Sequence, residues 1–118
     1  MIRELKTRDL KIKGDSVVIS GVTEPGMVLI WAGFCGHCTR FKPVYNELDK
    51  KIGKGFTMLA LEDKQIGGAV MANAIGLQGY PTIKFVDQNG KIGTEYTGSR
   101  SMKDLLQHVC KHYHKCSN

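Results

Sequence analysis

An α/β domain is predicted by three observations on this 118-residue chain. A strongly apolar run, Met27-Val-Leu-Ile-Trp-Ala32, has the composition of a strand buried on both faces. Directly behind it, Phe41, Val44, Tyr45 and Leu48 recur at the spacing of an amphipathic helix. Far along the chain, Pro81-Thr-Ile-Lys-Phe85 reads as a second strand. There Asp87-Gln-Asn-Gly90 forms a turn into Lys91-Ile-Gly-Thr-Glu-Tyr96, and Asn89-Gly90 is a strong hairpin signal because both residues tolerate positive φ. The length suffices for one domain with a real core and is too small for two, so residues 1–118 are read as a single domain.

The remaining elements follow in chain order. Leu10–Lys13 and Val17–Ile19 are short β-prone runs separated by Gly14-Asp15. Ser20 to Gly26, holding Pro25 and two glycines, is too short for a helix before the central strand. The active helix is placed at about Gly36 to Lys51, with Pro43 kinking it. Phe56 to Leu61 reads as a strand, and Gln65 to Ala74 as a short helix weakened by Gly67-Gly68. Met102, Leu105, Leu106, Val109, Cys110 and Tyr113 make one apolar stripe of a last helix. No internal repeat or low-complexity segment is found.

Between the first strand and its helix stands Cys35-Gly36-His37-Cys38. Two cysteines with two residues between them close into a small disulfide ring or lie open as a dithiol. Placed at a helix N-terminus, Cys35 meets unpaired backbone N–H groups and the positive end of the dipole, both of which favour a thiolate. The thiolate is the nucleophile of disulfide exchange. The chemistry that follows is thiol–disulfide exchange with protein thiols. A Cys-x-x-Cys alone also serves as half of a zinc site; the second motif, Gly79-Tyr80-Pro81-Thr82-Ile-Lys-Phe85, makes the redox reading specific.

The order strand, Cys-x-x-Cys helix, strand, helix, proline-led hairpin, helix resembles the thioredoxin fold. Cys-Gly-His-Cys together with Gly-Tyr-Pro-Thr-Ile-Lys-Phe is similar to a catalytic domain of protein disulfide isomerase, over roughly Met27 to Val109. The resemblance implies a central mixed sheet flanked by helices, here lacking or shortening the first helix. It implies that Cys35 attacks and that Cys38, one turn later, resolves the mixed disulfide. Pro81 matches the cis-proline facing the disulfide, which leaves the Tyr80 backbone free to pair with an extended substrate as an added strand. Gly36 keeps the turn open, and Phe34 stands where the family has a tryptophan before the first cysteine. A partly positive His37 beside Cys35 stabilises the thiolate and hence the reduced state, which makes the disulfide more oxidising. Arg100 resembles a mobile arginine that swings toward the buried cysteine. An oxidase or isomerase of protein disulfides is the expected function. The alternatives are a reductase using the same residues, and a slow-exchange binding or chaperone module on the same fold.

One departure bears on rate. The family's buried acid, six residues before the first cysteine, is here Leu29, and the lysine that pairs with it matches Ala60. That acid relays protons to and from the buried thiol, so its loss is expected to slow exchange. Glu62 and Asp63 follow in sequence at the start of a loop, with Glu62 the nearest substitute.

No organic cofactor is implied beyond the redox-active Cys35–Cys38 pair, and no metal. His108 and His112 share one face of the last helix while Cys110 and His114 lie nearly opposite, so one continuous helix does not gather four ligands around zinc. Cys110 lies on the apolar stripe and reads as a buried core thiol, and the tail after it as a structural or frayed end. A Cys110–Cys116 bridge requires the helix to stop between them. The net charge of +6, from 17 basic and 11 acidic residues, is scattered, with mild excesses at both ends. Aromatic residues are not interleaved with a basic stripe, which argues against nucleic acid. No stretch approaches the roughly 20 apolar residues of a membrane span. The expected partners are proteins with thiols or disulfides and an unidentified redox partner. The charged start (Arg3, Glu4, Lys6, Arg8, Asp9, Lys11, Lys13) excludes a secretory h-region there. The end, Lys115-Cys116-Ser117-Asn118, is not an endoplasmic-reticulum retention signal. A cytoplasmic or viral setting is therefore favoured, unless the chain is a trimmed fragment.

Overall fold

The central strand β4 (Gly26–Trp31) carries apolar side chains to both faces, and that fact organises the molecule. Its structure, a computed structural model, describes residues 1–116. Around β4 lie β1 (Arg3–Glu4), β5 (Thr57–Glu62), β6 (Thr82–Val86) and β7 (Ile92–Glu95), in the sheet order β1-β5-β4-β6-β7. β4 runs parallel to β5 and antiparallel to β6, so the sheet is mixed. The helices are α1 (Gly36–Ile52), α2 (Ala69–Ile75) and α3 (Met102–Tyr113). The strands β2 (Leu10–Lys13) and β3 (Ser16–Ile19) form a separate antiparallel hairpin. Among the described residues, no helix is long and apolar enough to cross a membrane.

Strand alternation divides the core in two. Met27 and Leu29 face α1 and α3, where they meet Phe41, Tyr45, Leu48, Leu105 and Val109. Val28 and Ile30 face the other way, toward Leu59, Leu61, Ile75 of α2, and Val17 and Ile19 of the hairpin. The hairpin thus covers part of the second face, and no helix forms between β3 and β4, as the short Ser20–Gly26 stretch required. Gly26 is needed where it stands. A methyl group there would collide with the backbone carbonyl of Thr57 on the adjacent strand.

Several boundaries moved. β1 has only two residues, too few for a period to show; it adds to the sheet edge through the Arg3–Leu59 and Glu4–Ala60 register and the buried Leu5. α2 starts at Ala69, four residues later than its apolar pattern suggested. Gly67 and Gly68 adopt φ of 92° and 114° and keep the chain out of the helix until then. In the β6–β7 turn only Gly90 takes positive φ, at 88°, whereas the Asn-Gly signal had placed both residues there. Instead Asp87 organises a longer loop. Its carboxylate accepts from the N–H groups of Asn89 (2.8 Å) and Lys91 (3.0 Å), and its carbonyl accepts from Gly90 at 3.0 Å.

The chain's last helix starts on a good cap, the Ser101 hydroxyl accepting from the Asp104 N–H at 3.2 Å. On its outer side His108 stacks on Phe85 with ring centroids 4.9 Å apart, and His112 follows at 4.3 Å from His108. Cys110 is not a buried core thiol: it is half-buried and disulfide-bonded to Cys116. The stripe is helical, but Cys110 lies at its margin, where the sulfur reaches the returning tail. The tail is not a frayed end as far as Cys116. Ser117 and Asn118, the last two residues of Lys115-Cys-Ser-Asn118, lie outside the described residues.

Candidate active site around Cys35 and Cys38

The site forms where β4 ends and α1 begins. Cys35 is the N-cap of α1, with extended φ and ψ of −96° and 113°. Its N–H donates to the Ala32 carbonyl at 3.1 Å, and its own carbonyl accepts from Thr39 at 3.2 Å. Its sulfur does the work that a serine or aspartate oxygen does at other N-caps, accepting from the Cys38 N–H at 3.2 Å. Cys35 is half-exposed, Cys38 fully buried, and both are free thiols in this structure.

This geometry splits the two acidities. The Cys35 pKa is lowered, first by the hydrogen bond from the Cys38 thiol. The backbone N–H groups of Cys38 and His37 and the charge of Arg100 act in the same direction, against a contribution from burial. Cys38 is pushed up, chiefly by burial and then by its bond to Cys35. One sulfur is prepared to attack and the other is held protonated. For the reduced protein, the stabilisation from Cys35 is present above the ordinary thiol pKa and is lost as pH falls through the lowered one. That from Cys38 runs the other way, full below the ordinary value and lost as pH rises through the raised one. In the reduced protein at neutral pH, iodoacetamide is therefore expected to label the half-exposed Cys35 faster than the buried Cys38, because the thiolate is the form that reacts. Peptide-resolved mass spectrometry across pH 5–9 checks this; equal labelling rates would contradict it.

His37 requires a correction. Its ring Nδ1 lies 2.9 Å from Nη2 of Arg40. A guanidinium only donates, so Nδ1 accepts and the ring proton is on Nε2. The ring is thus turned to Arg40, and it is the His37 backbone N–H that is among the groups favouring the Cys35 thiolate. A sequence pattern shows the residue but not the neighbour one turn on that occupies its lone pair. Gly36, the first residue of α1, has no strained conformation, and a methyl group there would stand 3.6 Å from Arg40, an ordinary contact. It leaves the approach to Cys35 open without being required by the turn.

The second motif arrives beside the first. The Tyr80–Pro81 peptide is cis. The β4–β6 ladder ends at the Ile30–Thr82 pair, so Tyr80 and Pro81 continue beyond it as an edge. Phe34, 79% exposed, meets the Tyr80 ring edge-on at 6.0 Å and so joins the loop before Cys35 to the loop before β6. Arg100 lines a small cleft with Pro81, Tyr96 and Gly98, and its charge favours the thiolate form of both cysteines. Phe34, Cys35, Gly36, His37, Cys38, Tyr80, Pro81 and Arg100 thus lie in one neighbourhood. Lys42 was not among them. Its ammonium sits 3.5 Å from the centre of the Trp31 ring, a cation–π contact at the base of the site.

Leu29 and Ala60 are direct partners in the β4–β5 register, 1% and 3% exposed. The place of an acid–lysine pair is therefore filled by an apolar one. Glu62 ends β5 opposite Trp31, still in the strand and not in a loop, and Asp63 opens a short 3-10 turn. The groups that shift Cys38 are its burial, Cys35, a backbone bond with Ala32, and Arg100; no carboxylate is among them.

Comparison with known proteins agrees with this architecture. The family model described as Thioredoxin matches residues 15–111. Protein disulfide isomerase-like 2-1 of Oryza sativa subsp. japonica is 33% identical over 98 residues, which cover 80% of this chain and 26% of that protein. Protein disulfide-isomerase erp38 of Neurospora crassa is 32% identical, covering 82% of this chain and 26% of the relative. For protein disulfide-isomerase A3 of Gallus gallus the identity is 35%, over 78% of this chain and 18% of the relative. The chain thus spans about a quarter or less of the length of these relatives. The crystal structure of the J-Trx1 fragment of ERdj5 superposes with a TM-score of 0.70 at 23% identity, covering 94% of this chain and 49% of that one. That likeness speaks to the fold alone.

Proposed function

The chain belongs to the thioredoxin family, and from that premise we propose that it is a thiol–disulfide oxidoreductase acting on protein thiols as a disulfide oxidase or isomerase. The observation that carries the reading is the Cys35 sulfur at the N-cap of α1, half-exposed and accepting from the Cys38 N–H at 3.2 Å. In oxidation, a substrate thiolate attacks the Cys35–Cys38 disulfide at the accessible Cys35, and Cys38 leaves as a thiolate that takes up a proton. A second substrate thiolate then attacks the substrate sulfur of the mixed disulfide. The substrate disulfide closes, Cys35 leaves, and two electrons have passed to the protein. In isomerisation, reduced Cys35 attacks a wrong bridge, and Cys38 releases any adduct that fails to rearrange. Phe34, Tyr80 and the open edge at Pro81 supply the apolar and backbone contacts that hold an extended substrate against Cys35. The Cys35–Cys38 pair is itself the electron carrier.

The direction rests on thiolate stabilisation. Whatever lowers the Cys35 pKa stabilises the dithiol above that pKa and so makes the disulfide a stronger oxidant. With the Cys38 bond, two backbone N–H groups and Arg100 acting on Cys35, the expected reduction potential is about −180 mV, as in protein disulfide isomerase. Equilibration in glutathione buffers with thiol trapping measures it. A value near −270 mV, the thioredoxin range, would make the protein a reductase. The apolar Leu29–Ala60 pair favours a second reading, in which exchange is slow and binding of extended chains by the same surface dominates.

A further inference from the structure

α3 carries a second cysteine pair at the end remote from Cys35. The helix stops at Tyr113, His114 turns through the left-handed region at φ 58°, and its N–H donates back to the Cys110 carbonyl at 3.0 Å. That reversal brings the Cα atoms of Cys110 and Cys116 to 4.4 Å, and their sulfurs are joined. Tyr113 packs edge-on against Phe56 at 5.1 Å, and the Lys115 side chain crosses Gly55, where a methyl group would collide with it. The tail is thereby laid on the loop between α1 and β5. Cys116 is exposed and Cys110 half-buried. A surface depression of about 460 Å³ opens beside the bridge, lined by Leu106, Gln107, Cys110, Lys111 and Cys116. From Leu105 to Cys116 the chain holds Lys111, Lys115 and three histidines and no carboxylate, and the loop beneath adds Lys54.

We infer that Cys110–Cys116 is a second exchangeable disulfide, opened and closed by an anionic low-molecular-weight thiol of the glutathione class. A separation of six residues closes a small loop, so the bridge removes little chain entropy and is a weak staple. Exposure of Cys116 gives a thiolate access to sulfur. The cationic surroundings draw in an anionic thiol and stabilise the cysteine thiolate that leaves, while the depression offers an apolar wall of Leu106 beside Lys111. In the opening reaction, a glutathione thiolate attacks the Cys116 sulfur, forming a mixed disulfide and expelling the Cys110 thiolate. A second glutathione thiolate attacks the glutathione sulfur of that adduct, expelling Cys116 and producing glutathione disulfide. Two electrons pass from two glutathiones to the bridge, and the two cysteine thiolates take up the protons the glutathiones lost. Closing is the reverse, with glutathione disulfide as oxidant. The site is distinct from Cys35–Cys38: Arg100, which shares a cleft with Pro81, precedes the start of α3, and Cys110 stands about 12 Å along the helix from Met102.

The test uses the full chain in glutathione buffers of graded ratio, with alkylation and peptide-resolved mass spectrometry reading each cysteine pair separately. The Cys110–Cys116 peptide is expected to open and close reversibly at its own midpoint. Opening by glutathione is expected to be about two- to fivefold faster at low salt than by cationic cysteamine at equal thiolate concentration, the size of one screened charge contact. That advantage should vanish in high salt and in the Lys111→Gln/Lys115→Gln variant. Cys110→Ser/Cys116→Ser should leave the Cys35–Cys38 midpoint in place. Thiols at 110 and 116 that stay alkylatable in the oxidising buffer would overturn the inference. So would a bridge that stays closed where Cys35–Cys38 is fully open, equal rates with the two thiols, or a shifted Cys35–Cys38 midpoint in the serine variant. Because the tail is read by its own peptides, failure here is distinct from failure of the oxidoreductase reading.

Discussion

Cys35→Ser is expected to abolish disulfide exchange while leaving the fold intact. Serine cannot form the mixed disulfide, so reoxidation of a reduced substrate and isomerisation of a scrambled one should fall to the uncatalysed background. The substitution is structurally mild, since Cys35 is half-exposed and occupies an N-cap, a position at which serine is among the best residues. A change in unfolding free energy within about 0.5 kcal/mol is expected. Cys38→Ser should behave differently: attack still occurs, resolution by the second sulfur does not, and covalent adducts with substrate accumulate on a non-reducing gel. The Cys35→Ser variant also separates the two readings of the surface around Phe34 and Tyr80. If suppression of substrate aggregation survives at full strength while exchange is lost, binding is an activity in its own right. Retained exchange in Cys35→Ser would remove the assignment of the nucleophile altogether.

Leu29→Glu with Ala60→Lys is expected to speed the step that depends on Cys38, at a cost in stability. Leu29 and Ala60 face each other across β4 and β5 in the layer covered by α1, and both are buried. A lone glutamate at Leu29 would bury a charge without a partner and should destabilise the domain by about 3–5 kcal/mol. The lysine at position 60 gives it one and recovers part of that loss, although its longer side chain crowds a site shaped for alanine. Proton transfer by a positioned group contributes 10² or more, so resolution of a mixed disulfide should accelerate by about a hundredfold. Stopped-flow resolution of a preformed adduct, followed from pH 5 to 9, reads this directly. A folded double variant that resolves no faster than the natural chain would show that solvent already serves the buried thiol.

Much of the site was legible because its residues are contiguous or carry a local signature. Cys35 and Cys38 are separated by one helical turn, the apolar run before them marks the end of a strand, and Gly79-Tyr80-Pro81 begins the next motif. The positions of Leu29 and Ala60 follow from counting along strands, and the β4–β5 register pairs them as counted. What counting does not reach is a partner's orientation. His37 was assigned a charge by its place beside Cys35, but Arg40 takes its Nδ1 lone pair. Cys110 was assigned to the core by its place on a stripe, yet three residues beyond it the helix ends and the tail returns to its sulfur.

By itself the sequence determined the α/β class, the order of the main elements, the missing helix before β4 and the placement of Cys35 and Cys38 where that strand gives way to its helix. Those follow from periodicity, glycine and proline placement and residue type, which act over one or two turns of chain. Only the tertiary structure decided that two-residue β1 joins the sheet edge, that Phe34 and Tyr80 meet edge-on, that the Arg100 charge bears on both cysteines, and that Lys115 lies on Gly55. Each of these joins residues from separate elements. Such contacts are set when the two apolar faces of β4 are covered, and no local pattern in the chain encodes which side chains that packing brings together.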